Sequence, residues 1–316
     1  MLATIAVGGA AQAQTLTINI SGGVIDLGRV SAKSSGQSLL TISPSGVVTA
    51  PAGSGANVTR RITAGAVNTP TVTITCTDGQ AANAKCANQP VYVTFRGTTA
   101  SGPALAPDTF TVSGTAGVIS GPTGGNHTTY QLNALTSGVA RSFTVGMDVG
   151  IKSSSTLGAG TFAFSAAAGF NSPAASPIDT GTGAVYGMRP LSLTKSSDLN
   201  FGRVVKPKTG SSELVVSLDN NRSLTGGDAT LIGTAFTRAA YTVTGEGGQT
   251  ISVGAPAFDM TNGSGGSVTV TPIFPEGASL SSGGSYSFNL GGRFTLTPAT
   301  PSGSYSGSFT TTVAYN

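Results

Sequence analysis

The chain has 316 residues, 38% of them hydrophobic, enough for one large or two ordinary domains, each with a buried core. Only 9% are charged, far below the usual quarter, and the net charge of +4 is spread thinly, with no basic run and little aromatic interleaving. This excludes the electrostatic footprint of a nucleic-acid-binding surface. The 46 Gly and 16 Pro together stay below the level of a disordered segment and, with the Ser, Thr and Val, make an all-β composition.

At residues 1–13, MLATIAVGGAAQA is apolar and small and ends in Ala-Gln-Ala, the pattern of a secretory signal cut before Gln14. It lacks a basic start, as a signal shortened to an internal Met would. It is too short to span a bilayer and no later stretch is long and apolar enough, so no membrane span is expected.

The next feature is a repeat. Val24-Ile25-Asp26-Leu27-Gly28-Arg29-Val30 returns as Asp198-Leu199-Asn200-Phe201-Gly202-Arg203-Val204 at an offset of 174 residues, and Gly36 and Leu40 fall on Gly210 and Leu214. The ends repeat at an offset of 145: Phe143 with Phe288, Gly146 with Gly291, Phe164 with Phe309, Phe170 with Tyr315, Asn171 with Asn316. The two offsets differ by 29, so the first copy carries that much extra sequence in its middle. The surplus includes the cysteine loop and the Gly/Pro-rich stretches 97–107 and 114–126.

Cys76 and Cys86 are the only cysteines. In a secreted chain so close a pair predicts a disulfide, worth roughly 2 to 3 kcal/mol by loop closure, and an oxidising compartment. Two cysteines with no nearby His make a poor metal site.

Short β-rich runs punctuated by Gly, Pro, Asn and Ser occur at 71–75, 91–95, 110–112 and 143–149, then at 240–244, 267–271, 286–290 and 294–297. With no helical period between them, they predict β-sandwiches in tandem. The only histidine, His127, lies in a Gly-Gly-Asn-His-Thr-Thr loop, and the twelve acidic residues form no cluster of calcium or catalytic spacing. Neither an enzyme nor a cofactor is expected.

The two copies differ after their matched ends. Beyond Asn171 the first copy continues through SPAASPIDTGTGAVYGM at 172–188; the second ends at Asn316. A sandwich lacking its last strand leaves a hydrophobic groove and a row of unpaired backbone groups, which invites a strand from another chain.

The runs RPLSLTKSSDLNFGRV at 189–204 and GSYSGSFTTTVAYN at 303–316 resemble an uncharacterised proteobacterial domain family related to archaic chaperone/usher pilus subunits. The likeness covers the second copy end to end and the first only at its start and finish. It implies two tandem immunoglobulin-like β-sandwiches after the signal of residues 1–13: an enlarged binding domain at 14–188 and a pilin-like domain at 189–316 lacking its last strand. It also implies donor-strand exchange, in which a periplasmic chaperone lends a strand and the next subunit's N-terminal extension replaces it. The acceptor groove would be lined by Leu191, Leu193, Leu199 and Phe201 on one side and by Tyr305, Phe309, Val313 and Tyr315 on the other, with the Asn316 carboxylate anchored in the chaperone. The partners implied are that chaperone, an outer-membrane usher and a neighbouring pilin, with display on the cell surface.

By the 174-residue offset Thr15 already aligns with Arg189, so almost no extension precedes the first copy, as in a tip adhesin that accepts a strand without donating one. The first copy would then be completed from within, from about residue 182 to 188. The alternative register, in which QTLTINI at 14–20 is itself a donor and MRPLSLT fills the first copy, makes a two-domain shaft subunit; Pro190 speaks against it. A self-contained secreted β-sandwich lectin is the third reading. For a tip adhesin, Leu105, Val118, Ile119 and Tyr130 beside the enlarged loops are the candidates for an apolar adhesive patch towards an unknown surface ligand.

Overall fold

The computed structural model describes residues 14–22, 25–31, 33, 35–50, 60–78, 85–113, 118–123, 127–153, 157–170 and 174–316, without side chains at 60–63 and 118–123. The expected signal at 1–13 lies outside the described residues. The chain divides into two compact units, Met1–Arg189 and Pro190–Asn316. Both are built of strands; α1 (Lys85–Asn88), a single turn, is the only helix among the described residues.

The first unit contains β1 (Thr15–Ser21), β2 (Ile25–Ser31), β3 (Ser38–Ile42), β4 (Val48–Thr49), β5 (Arg60–Thr63), β6 (Thr71–Thr77) and β7 (Val91–Ala100). It continues with β8 (Thr109–Val112), β9 (Val118–Thr123), β10 (Thr128–Leu132), β11 (Arg141–Ile151), β12 (Gly158–Gly169) and β13 (Ile178–Met188). One sheet has the order β1-β6-β11-β3-β4 with β8 also on β11; the other runs β5-β2-β13-β12-β7-β10-β9. Alternation selects the buried face: in β6, Val72, Ile74 and Cys76 are fully buried between half-exposed threonines. The inner faces meet in one contiguous core in which Phe95 stacks on Phe110 (ring centroids 5.5 Å) and meets Phe143 edge-on (6.4 Å).

Cys76, near the end of β6, is disulfide-bonded to Cys86 on α1, with the Cα atoms 5.8 Å apart. Asp78 organises the loop: its Oδ1 accepts from the Cys86 backbone N–H (3.2 Å) and from the Gln14 side-chain amide (2.6 Å). Cys76, Asp78 and Cys86 lie together, but the disulfide uses both sulfurs and leaves one metal-ligating group of the three.

Strand β13 completes the first unit. It runs antiparallel to β12 from Gly158↔Gly187 to Ala167↔Ile178 and parallel to β2, from Gly183↔Ile25 to Met188↔Ser31. The strand that fills the sheet thus comes from 178–188, somewhat longer than the expected 182–188, and MRPLSLT does not fill it. Its glycines are required by close approach: a Cβ on Gly181 would lie 2.4 Å from the Phe164 ring, and one on Gly183 2.2 Å from the Phe162 ring.

The second unit contains β14 (Ser192–Ser197), β15 (Arg203–Val205), β16 (Ser212–Val216), β17 (Arg222–Thr225), β18 (Thr230–Ile232) and β19 (Ala239–Thr244). Then come β20 (Thr250–Gly254), β21 (Phe258–Thr261), β22 (Ser267–Ile273), β23 (Gly277–Ser279), β24 (Ser285–Leu296) and β25 (Thr312–Tyr315). Its sheet β14-β19-β24-β16-β17, with β22 also on β24, repeats the order of the first sheet of the first unit and adds β21, paired to β22.

The repeated start motif has one physical cause in both copies. The Asp26 and Asn200 side chains each accept from the backbone N–H two residues on, Gly28 and Gly202, both at 2.8 Å. Those glycines have φ values of +72° and +73°, a left-handed conformation that side chains resist.

Two stability effects are expected in the first unit. Replacing Cys76 and Cys86 together by Ala is expected to lower its unfolding free energy by roughly 2 to 3 kcal/mol in urea titrations. Gly183→Ala is expected to cost about 1 to 3 kcal/mol by overpacking against Phe162, read in the same titration.

Candidate functional site: an open strand position

The second sheet of the second unit is divided. Its strands form a two-stranded piece, β15-β18, and a three-stranded piece, β23-β20-β25. By position in the repeat, β15 corresponds to β2, β25 to the end of β12, β20 to β7 and β23 to β10. Between β2 and β12 the first unit places β13; between β15 and β25, among the described residues, no strand is placed. Among the described residues β25 is laddered only to β20, from Ile251↔Tyr315 to Gly254↔Thr312, and β15 only to β18. Each therefore turns one backbone edge to the open position.

Side chains register the same difference. Ile25 and Val30 on β2, and Phe164 and Ala168 on β12, are at most 1% exposed. Their repeat partners Leu199, Val204, Phe309 and Val313 are all half-buried. The core divides too. One cluster holds Tyr241, Val243, Ile251, Val253, Phe288 and Leu290, the other Phe201, Leu214, Val216, Val270 and Phe294, and Leu199 touches both.

The expected groove residues are distributed over the floor and the two walls. Leu199 and Phe201 precede β15, and Phe201 meets Phe294 edge-on at 4.8 Å. Across the open position Phe309 stacks on Phe258 (4.8 Å), and Val313 and Tyr315 pack on the first cluster. The Tyr315 hydroxyl accepts from the Glu246 backbone N–H (2.6 Å), and the Tyr305 hydroxyl donates to the Pro301 carbonyl (2.8 Å). Leu191 and Leu193 differ from expectation. β14 belongs to the opposite sheet, so they pack on the first cluster from across the sandwich as floor, and the wall beside β15 is Leu199, Phe201 and Val204. Asn316 is exposed and its backbone N–H donates to the Thr250 carbonyl (3.1 Å), extending the β25–β20 ladder.

Sequence reasoning missed Val204 and Arg222. Val204 was within reach, because the repeat aligns it with Val30. Arg222 carried no such signal, since its repeat position is Val48. The Arg222 guanidinium donates to the carbonyls of Phe201 (3.1 Å), Arg203 (3.4 Å), Ile232 (3.4 Å) and Gly233, and lies over the Phe236 ring at 4.9 Å. It ties both strands of the β15–β18 piece to β17.

Of the expected adhesive patch, Tyr130 is buried and Leu105 half-buried. Tyr130 is 6% exposed, its hydroxyl donates to the Phe110 carbonyl (2.8 Å), and burial pushes its phenol above the ordinary value. It is a core residue because its position on β10 faces inward. The Leu105 N–H donates to the Gly150 carbonyl (2.8 Å). Val118 lies on β9 opposite Leu132; the side chains of Val118 and Ile119 lie outside the described residues. His127 sits half-buried in a bend before β10.

Residues 191–315 match the family described as Domain of unknown function (DUF4402). No curated protein matches the chain. Among solved structures, the chain is similar to the CsuC–CsuE chaperone–tip adhesion subunit pre-assembly complex of the archaic chaperone-usher Csu pili of Acinetobacter baumannii. There the identity is 8% and the TM-score 0.25, over 93% of this chain and 99% of that one. It is also similar to the secreted serine protease VesC of Vibrio cholerae, at 8% identity and a TM-score of 0.17, over 92% of this chain and 49% of that one.

Removing the clamp tests how the β15 wall is held. Arg222→Ala is expected to lower the unfolding free energy of the second unit by about 1.5 to 3 kcal/mol, the range for hydrogen bonds to a charged group. Arg203→Ala, an exposed neighbour, is expected to stay within about 0.5 kcal/mol in the same urea titration.

Proposed function

We propose that the second unit is a strand acceptor and that the protein is a subunit of a chaperone/usher pilus, joined to its neighbour by donor-strand exchange. The observation that carries this reading is internal to the molecule: β13 fills in the first unit the position left open in the second. The sequence resemblance of 189–204 and 303–316 to pilus subunits supports the same assignment. A donor strand would pair with the free edges of β15 and β25 and cover Leu199, Val204, Phe309 and Val313. Completing the burial of four half-buried side chains is worth about 3 to 6 kcal/mol, half the value of burying each from full exposure. Backbone hydrogen bonds contribute about 0.5 to 1.5 kcal/mol each. A periplasmic chaperone would occupy the position first, an outer-membrane usher would pass the subunit on, and a neighbouring pilin would supply the final strand.

Within the pilus, the tip is the position we assign, with the first unit as an enlarged binding domain for cell attachment. β1 is laddered to β6 from Thr15↔Thr77 to Ser21↔Thr71, and β14 to β19 from Ser192↔Thr244 to Ser197↔Ala240. Each is thus paired within its own unit's sheet, which disfavours QTLTINI as a donor and with it the two-domain shaft reading. The protein in this reading works by binding and assembly rather than catalysis, outside the cell after passage through the periplasm. No helix among the described residues is long and apolar enough to cross a membrane.

The test is to attach a copy of residues 172–188 after Asn316 through a flexible linker and compare the full chain with and without it. The expected result is a rise of at least about 5 °C in the Tm of the second unit, a cautious reading of the stabilisation above. Unchanged Tm and unchanged monomer yield would mean that the unit is closed as it stands, and the strand-acceptor reading would be abandoned.

A further inference from the structure

We propose that the strand accepted by the second unit carries a fixed size pattern on its inward face: a small residue opposite Phe309, a large apolar residue opposite Gly307 and a small residue opposite Tyr305. The inference rests on the strand-acceptor reading above and specifies the partner's side chains.

The first unit supplies the template. Along the β12–β13 ladder, three successive inward-facing pairs are Phe164↔Gly181, Phe162↔Gly183 and Gly160↔Val185. At each pair one strand supplies bulk and the other supplies none or little, as close packing between adjacent strands requires. Where β12 carries a ring, β13 carries glycine, because a Cβ would enter that ring.

Carried along the 145-residue offset, the acceptor side of these pairs becomes Phe309, Gly307 and Tyr305. The first level keeps a ring, Phe309, here stacked on Phe258 (4.8 Å), so the incoming strand is assigned glycine or alanine there. The second is inverted. Gly307 replaces Phe162 and is exposed, and a Cβ on it would lie 2.4 Å from the Asp259 carbonyl oxygen. The acceptor cannot supply bulk at that level, so the incoming strand must. The third is inverted the other way, since Tyr305 replaces Gly160 and its ring is held by the hydroxyl bond to Pro301. β13 itself, with Gly181, Gly183 and Val185 facing inward, fits the second unit only at the first level. The chain's own strand thus supplies the backbone ladder and the first level, enough to stabilise the second unit in part, while a foreign donor would fit the other two levels better than a second copy of β13.

The experiment uses the full chain with residues 172–188 appended after Asn316, the native β13 left intact, and three appended versions: unchanged, Gly183→Leu with Val185→Gly, and Gly181→Leu. The Tm of the second unit is read for each. The Gly183→Leu, Val185→Gly version is expected to exceed the unchanged version by about 5 °C, and the Gly181→Leu version to lose the gain. If the unchanged version stabilises and the two altered ones match it, the size pattern is wrong while the acceptor stands. If no version stabilises, the acceptor reading fails and the size pattern falls with it.

Discussion

A β-strand has two hydrogen-bonding edges, and a strand flanked on one side only leaves a row of backbone donors and acceptors that the interior of a sandwich cannot tolerate dry. That constraint organises both halves of this protein. In the first unit β13 lies between β2 and β12, bonds to both, and lets the two sheets close over a single core. In the second unit no strand among the described residues takes that place, and the core separates into two clusters joined through Leu199.

How the second unit holds its shape with a sheet in two pieces is answered by side chains that bind backbone. The facing sheet is intact, with β24 laddered to both β19 and β16. Arg222 fastens the β15–β18 piece through the carbonyls of Arg203 and Ile232, one on each strand, and Lys206 donates to the carbonyls of Pro298 (2.8 Å) and Thr300 (2.9 Å). On the other side the Tyr315 hydroxyl receives the Glu246 N–H, fixing the end of β25. These contacts keep the walls in place without filling the space between them. In the strand-acceptor reading proposed above, a gap held open in this way would lose less ordering entropy when a strand enters.

The architecture was legible in the sequence to the extent that it repeats. Asp26 and Asn200, Gly28 and Gly202, and the aromatic endings at Phe164 and Phe309 mark equivalent positions because each answers a local demand: an Asx turn, a left-handed glycine, an inward-facing ring. The Cys76–Cys86 bond was legible from proximity and compartment. The illegible part depended on contacts between distant segments. Arg222 reads as an ordinary surface cation until β15 and β18 are placed beside it. Leu193 alternates like a groove residue, and only the pairing of β14 with β19 assigns it to the opposite sheet. Tyr130 lay beside loops rich in Gly and Pro, yet the inward phase of β10 commits it to the core.

Backbone hydrogen exchange tests the central claim most directly, because it reads the unpaired edges themselves. With the Asn316-appended strand absent, the amides of Arg203–Val205 and Thr312–Tyr315 that point away from β18 and β20 are predicted to exchange far faster than their equivalents on β2 and β12. With the strand attached, they are predicted to slow by orders of magnitude while the amides of β19 and β24 stay unchanged. Protection of those edges already equal to that of β2 and β12 in the unextended protein, and unaltered by the added strand, would contradict the account.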